Sequence, residues 1–171
     1  GKKKKLNVED RWLFSRLNSL IESCTKNLET YNGHKAAVDI RDFIVNDFSR
    51  WYIKIIRDRV WIGNKRDEAA LYTLYEVSKG LATLLAPFCP LFSEYVYQNI
   101  LKEKKSVHLC NWPKPNKKMI DKNLEEKMTV AKKVVELVNT MRKENNIKLK
   151  WPLKEVIITK TLTGIECILR N

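Results

Sequence analysis

The sequence predicts an all-α fold, a bundle of about five helices followed by a short β-containing extension at the C-terminus. Three observations predict it. Apolar residues recur at three- and four-residue steps over most of the 171 residues, the period that lines one face of a helix. Breaks in that pattern fall on glycine- or proline-bearing stretches, "YNGHK", "GNKRD" and the Pro87/Pro90 pair. β-Branched residues dominate only after "NNIKLKWPL".

The first helix is read from Leu13, Leu17, Leu20, Cys24, Leu28 and Tyr31 on one face, with Gly33 suited to a C-terminal stop. A second runs from about Lys35 to Ile62. Asp67 is a plausible N-cap for a third, whose apolar side is Ala70, Leu71, Leu74, Val77, Ser78, Leu81 and Leu85. Pro87 and Pro90 each lack an amide hydrogen and clash with the preceding turn, so that helix ends or kinks there. A short fourth follows from about Leu91 to Leu101. "KEKKSVHLCNWPKPNKK" reads as a basic, proline-marked connection without periodicity of its own. The fifth helix occupies about Leu124 to Asn145. Leu124, Met128, Ala131, Val134, Val135, Val138 and Met141 form its stripe, and Glu125, Lys132, Glu136 and Lys143 lie opposite. "KEVIITK" and "IECILRN" are candidate strands, too few for a sheet by themselves. The domain reading is therefore a tail or remnant over 1–6, a helical bundle over 7–147, and the start of a truncated mixed α/β module over 148–171. The opening "GKKKK" suggests a piece cut from something larger.

Composition narrows the function. With 44% hydrophobic and 31% charged residues the chain is neither disordered nor a membrane protein, and no apolar run approaches the roughly 20 residues of a bilayer span. Thirty-three Lys and Arg against 20 Asp and Glu leave a formal charge of +13, which points to a polyanion such as nucleic acid or an acidic membrane face. An indifferent basic surface is the bland alternative. Cys24, Cys89, Cys110 and Cys167 show no CxxC pair, and His34 and His108 stand alone, so the sequence predicts no metal and a reducing, cytoplasmic compartment.

The most informative stretch is "SRWYIKIIRDRVW", residues 49–61. At 100° per residue, Arg50, Lys54, Arg57 and Trp61 fall within about 60° of arc. Ala37, Ile40, Ile44, Phe48, Trp51, Ile55 and Ile62 fall on a separate arc of the same helix. Cations in a row displace counterions from phosphates, and an indole at the end of the row can stack on an unpaired base for about 1–3 kcal/mol. A solvated charge stripe with a core tryptophan is the competing reading. Arg59 projects into the apolar arc, so either it pairs with a carboxylate such as Asp39, Asp42 or Glu94, or that arc is not fully covered. Lys65 and Arg66 in one break, and Lys148, Lys150 and Trp151 in another, repeat the combination on loops. For Trp151, packing against the fifth helix competes with stacking.

Five motifs in order, "DRWLFSRLNSLI", "SRWYIKIIRDRVW", "LAPFCPLFSEYVYQNIL", "SVHLCNWP" and "KLKWPL", resemble the anticodon-binding helical domain of the class I aminoacyl-tRNA synthetases for isoleucine, valine and leucine. The fine forms are most similar to the isoleucine enzymes of the archaeal or eukaryotic-like branch, over about Asn7 to Thr159. The final "TLTGIECILRN" matches nothing in that pattern. The resemblance implies a bundle that packs on the anticodon stem and loop of an isoleucine transfer RNA, while a separate catalytic domain activates the amino acid with ATP and Mg. HIGH and KMSKS signatures are absent from these residues, so the fragment itself is expected to be non-catalytic and to need no cofactor. Its implied partners are transfer RNA and the catalytic domain of the same enzyme. Arg50, Lys54 and Arg57 are the candidate phosphate contacts, Lys65, Arg66, Lys148 and Lys150 flank them, and Trp61 is the stacking candidate. Those assignments rest on the helical projection. The valine and leucine enzymes, and a basic protein-interaction module, remain alternatives.

Overall fold

Why the first helix begins at Val8 is set by its first turn. Asn7 caps it, and the Asn7 backbone N–H donates to the Asp10 carboxylate at 3.0 Å. The computed structural model describes residues 5–61, 67–103, 105–148, 151–152 and 155, with Trp61 by its backbone alone. Over these the chain is helical, as expected. α1 is Val8–Glu29, α2 Gly33–Asp42, α3 Ile53–Trp61, α4 Glu68–Leu85, α5 Pro90–Tyr95 and α6 Lys122–Glu144. A π-helical segment, Phe43–Tyr52, joins α2 to α3 without a break, and a shorter one, Val96–Ile100, extends α5. The candidate strands after Leu153 lie outside the described residues, and among the described ones there is no strand.

The chain divides into two compact units, residues 1–121 and 122–171. In the first, Trp12, Leu13, Leu20 and Cys24 of α1 are buried, as are Ala36, Ile40 and Phe43, Tyr52 and Ile56, and Ala70, Val77 and Leu81 of α4. Each fully buried aliphatic or Phe side chain contributes about 1.5–3 kcal/mol relative to exposure. Ala82, Tyr97 and Val107 form a satellite core beneath the 101–110 segment. In the second unit, Met128 and Ala131 of α6 are buried while Leu137 and Met141 are exposed. The stripe expected along α6 is thus covered only over its first half. Glu125, expected on its polar face, is buried, with Lys122 Nζ 3.3 Å from its carboxylate.

Boundaries follow local chemistry. Asp67 caps α4 by accepting the Ala69 and Ala70 N–H groups at 2.8 and 3.1 Å, and Pro90 opens α5 at a position that needs no N–H partner. The turn after α1 departs from expectation. Tyr31, expected on the apolar face, is 99% exposed and takes the left-handed conformation at φ 57°. Gly33, expected as the stop, is instead the first residue of α2, behind the Asn32 cap. The Asn32 side chain accepts the Lys35 N–H, so the α2 start outcompeted the glycine stop.

The larger correction concerns the second helix. Its buried positions are Ala36, Ile40, Phe43, Asp47, Tyr52 and Ile56, whereas Ala37, Ile44, Phe48, Trp51 and Ile55, expected in the core, are half-buried. The steps run four, three, four, five, four. The five-residue step is the π segment, where Ile53 N–H donates to the Phe48 carbonyl five residues back. A projection at a constant 100° cannot follow that step.

The basic, proline-marked connection, read as having no periodicity of its own, is bonded as a strap to α1. Trp112 Nε1–H donates to Thr25 Oγ1 at 2.9 Å, Asn116 N–H to Asn18 Oδ1 at 2.7 Å, and Asp121 N–H to Ser15 Oγ at 2.8 Å. Its structure is held by scattered side-chain bonds, which leave no period to read.

Candidate nucleic-acid interface

Arg50, Lys54 and Arg57 are exposed and make no ion pair among the described residues. Lys54 and Arg57, three residues apart on α3, stand about 5–6 Å apart at Cβ, and Arg50 precedes them in the π segment. The π segment decides that they face outward. Had α-helical steps continued from buried Asp47, Lys54 would project within about 20° of the core direction and Arg50 within about 60°. The extra residue hands those inward positions to Tyr52 and Ile56, both buried. Asp58, exposed beside Arg57, places one negative charge on the same flank and was overlooked by a reading that counted cations.

The opposite side of this helix is pinned. Arg59 lies in the last turn of α3 and reaches three carboxylates: Asp10 Oδ2 at 2.8 Å from Nη2, Asp67 Oδ2 at 2.9 Å from Nε, and Glu9 Oε1 at 2.5 Å from Nη1. Glu9 and Asp10 belong to the first turn of α1, and Asp67 caps α4. Acids at two helix N-termini therefore meet a cation at a helix C-terminus, the arrangement helix dipoles favour. Asp10 is fully buried and also accepts the Tyr52 hydroxyl at 2.7 Å. Burial and that hydrogen bond push the Tyr52 phenol far above its usual range. Burial pulls the Arg59 guanidinium down, but its bonds to Asp10 and Asp67 outweigh this and leave its pKa raised. The bond from Arg59 holds the Asp67 carboxyl below the usual carboxylate range.

A carboxylate partner for Arg59 was expected, but not these. Asp39 is taken by Ser23 and Asn27 at 2.8 and 3.2 Å, Asp42 by Arg41 at 2.9 Å, and Glu94 by Ser106 and the Val107 N–H at 3.0 and 2.9 Å. Glu9 and Asp10 lie some fifty residues earlier in the chain, and no spacing rule links them to Arg59.

The remaining site residues divide. The Trp61 side chain, Lys65, Arg66 and Lys150 lie outside the described residues. Lys148 and Trp151 belong to the second unit. There the Arg142 guanidinium donates to both of their carbonyls at 2.9–3.0 Å, tying the turn to α6. The Trp151 ring stays 51% exposed, with Lys148 Nζ 5.8 Å from its centroid. Among the described residues no His, Cys, Asp or Glu group is arranged to hold a metal, and no helix is long and apolar enough to cross a membrane.

Comparison with known proteins places this geometry in a family. The family model described as the anticodon-binding domain of tRNA ligase matches residues 10–158. Isoleucine–tRNA ligase of Thermococcus kodakarensis is 43% identical over 155 residues, covering 88% of this chain and 15% of that protein. The Methanothrix thermoacetophila enzyme of the same name is 39% identical over 160 residues, 90% of this chain and 15% of its own length. That of Archaeoglobus fulgidus is 41% identical over 166 residues, 92% of this chain and 16% of its own. The chain thus spans about 15% of the length of the relatives it matches. A helical bundle whose sequence matches that family model from Asp10 to Ile158 belongs to the anticodon-binding domain family of tRNA ligases.

Proposed function

We propose that this chain is the transfer-RNA-binding module of a cytoplasmic isoleucine–tRNA ligase. It grips the anticodon stem and loop of isoleucine transfer RNA, so that the acceptor end reaches a catalytic domain elsewhere in the parent polypeptide. That domain would use ATP with Mg, and the module itself needs no cofactor. One observation carries the reading: three exposed cations, Arg50, Lys54 and Arg57, without an ion pair among the described residues, on a helix pinned from behind by Arg59. Rigid presentation lowers the ordering cost of binding, and neutralising phosphates releases counterions. Lys65 and Arg66, and separately Lys148 and Lys150 of the second unit, are further phosphate contacts in the proposal. Trp61 stacks on a splayed base, and Trp151 offers a second ring. The isoleucine assignment over valine or leucine is supported by the names of the relatives.

A salt titration tests it. Log K for transfer RNA should fall linearly with log salt, and the slope should shrink by roughly 0.7–0.9 for each phosphate-contacting cation replaced by glutamine. A flat titration would remove the RNA reading in favour of a protein-interaction module. Isoleucine transfer RNA should bind more tightly than valine or leucine transfer RNA. Equal binding would leave the amino-acid assignment without support.

A further inference from the structure

Between Glu103 and Asp121 the sequence carries five lysines and a histidine and no carboxylate. This stretch is the strap on α1. Lys114 sits between Pro113 and Pro115, whose fixed φ angles and restriction of the preceding residue hold it extended. Lys117 and Lys118 begin a 3₁₀ turn capped by Asn116, whose side chain accepts the Lys118 N–H at 3.1 Å while its own N–H is held by Asn18. All three lysines are exposed and make no ion pair among the described residues. A lysine-rich loop would ordinarily be a mobile, solvated segment. This one is bonded to α1 at Thr25, Asn18 and Ser15, so its ammonium groups stand on a fixed backbone.

The strap is also not a continuation of the Arg50, Lys54 and Arg57 row. α1 contacts the α2 side through Arg16 to Asp47 and through Ser23 and Asn27 to Asp39. Those positions project roughly 150° around α1 from Ser15, Asn18 and Thr25. One row of phosphates cannot serve both flanks.

We infer that Lys114, Lys117 and Lys118 form a second, separate contact surface for the sugar-phosphate backbone of the same RNA. This rests on the RNA-binding reading above. The ligand class follows from the chemistry: point charges with no fork geometry, no aromatic ring exposed among them and no acid between them suit phosphate rather than base edges.

The test uses the chain with isoleucine transfer RNA across a salt series. Four variants accompany the wild type: Lys114→Gln/Lys117→Gln/Lys118→Gln, the same three positions changed to Arg, Arg50→Gln/Lys54→Gln/Arg57→Gln, and the six glutamine changes combined. The strap glutamine variant should melt like wild type and bind with a slope shallower by about 2–3, while the arginine variant keeps the wild-type slope. In the combined variant the two losses should add, as expected of distant sites. A strap glutamine variant with the wild-type slope would overturn the inference and leave the first row standing. So would an arginine variant that loses as much as the glutamine one. A wild-type protein with no salt dependence would remove the RNA reading itself, and this surface with it.

Discussion

Arg57 and Arg59 stand two residues apart on α3 and meet opposite fates. Arg59 turns inward to three carboxylates, with its side chain 17% exposed, whereas Arg57 stays in solvent with no ion-pair partner among the described residues. A charge removed from water must be compensated on the spot, so burial forces Arg59 into Glu9, Asp10 and Asp67. A charge left in water carries no such demand and remains available to an outside anion. The difference teaches that one side of this helix is committed to holding the bundle together and the other is left open. The register of the π segment decides which side each arginine takes.

The most drastic way to break that comparison is to remove the register. Inserting one alanine after exposed Ser49 should lengthen the five-residue step from Asp47 to Tyr52 and turn everything after it by about 100°, pulling Tyr52, Ile56 and Arg59 out of place. The loss should exceed about 4 kcal/mol in urea unfolding, the range reserved for core disruption. Wild-type stability in the insertion variant would show that the register of this segment sets nothing.

Next in size is Asp10→Ala. It strips the guanidinium of its fully buried partner and removes the carboxylate that accepts the Tyr52 hydroxyl. The expected cost is about 3–5 kcal/mol, read as a lower urea midpoint with the unfolding slope unchanged. Tyr52→Phe should cost less, about 1.5 kcal/mol, because it removes one hydrogen bond to a charged acceptor that keeps its other donors. A Phe variant as damaged as the Ala variant would mean that packing, not the polar network, holds this corner.

The open side should behave oppositely. Arg50→Gln/Lys54→Gln/Arg57→Gln should move stability by no more than about 0.5 kcal/mol, since exposed positions without an ion pair among the described residues lie outside the mechanisms that destabilise folds. A large drop in melting temperature would show that the row is structural. Smallest is the pH effect at Asp67. Its folded pKa is depressed by Arg59, so its stabilising contribution is present above the unfolded carboxylate value and is lost as pH falls below about 4. Asp67→Asn should flatten the acid limb of a melting-temperature profile measured from neutral pH downward, and an unchanged limb would discard the linkage.

Much of the fold was legible. The helical breaks, the Asp67 cap, the proline-marked start of α5 and the long α6 follow from local rules acting within a few residues. At the candidate site, the outward position of Arg50, Lys54 and Arg57 was anticipated, but partly by compensation. The constant-angle projection misjudged the core side by one residue, taking Trp51 for Tyr52 and Ile55 for Ile56, and the five-residue step preserved the outward face. The partners of Arg59, the burial of Glu125 and the anchoring of the strap were not legible, because each joins residues with no periodic relation in the chain.

By itself, the sequence determined the helical class, the approximate helix ends, the excess of positive charge and membership of a family recognised through motifs in order. Propensity, capping and charge are local properties, so they can be read without a partner in view. Only the tertiary structure decided which carboxylates neutralise Arg59, where the helical register slips and that a proline-rich connection becomes a fixed basic ridge. Those outcomes come from elements packed side by side, where a group once shielded from water must take whatever donor or acceptor the neighbouring element presents.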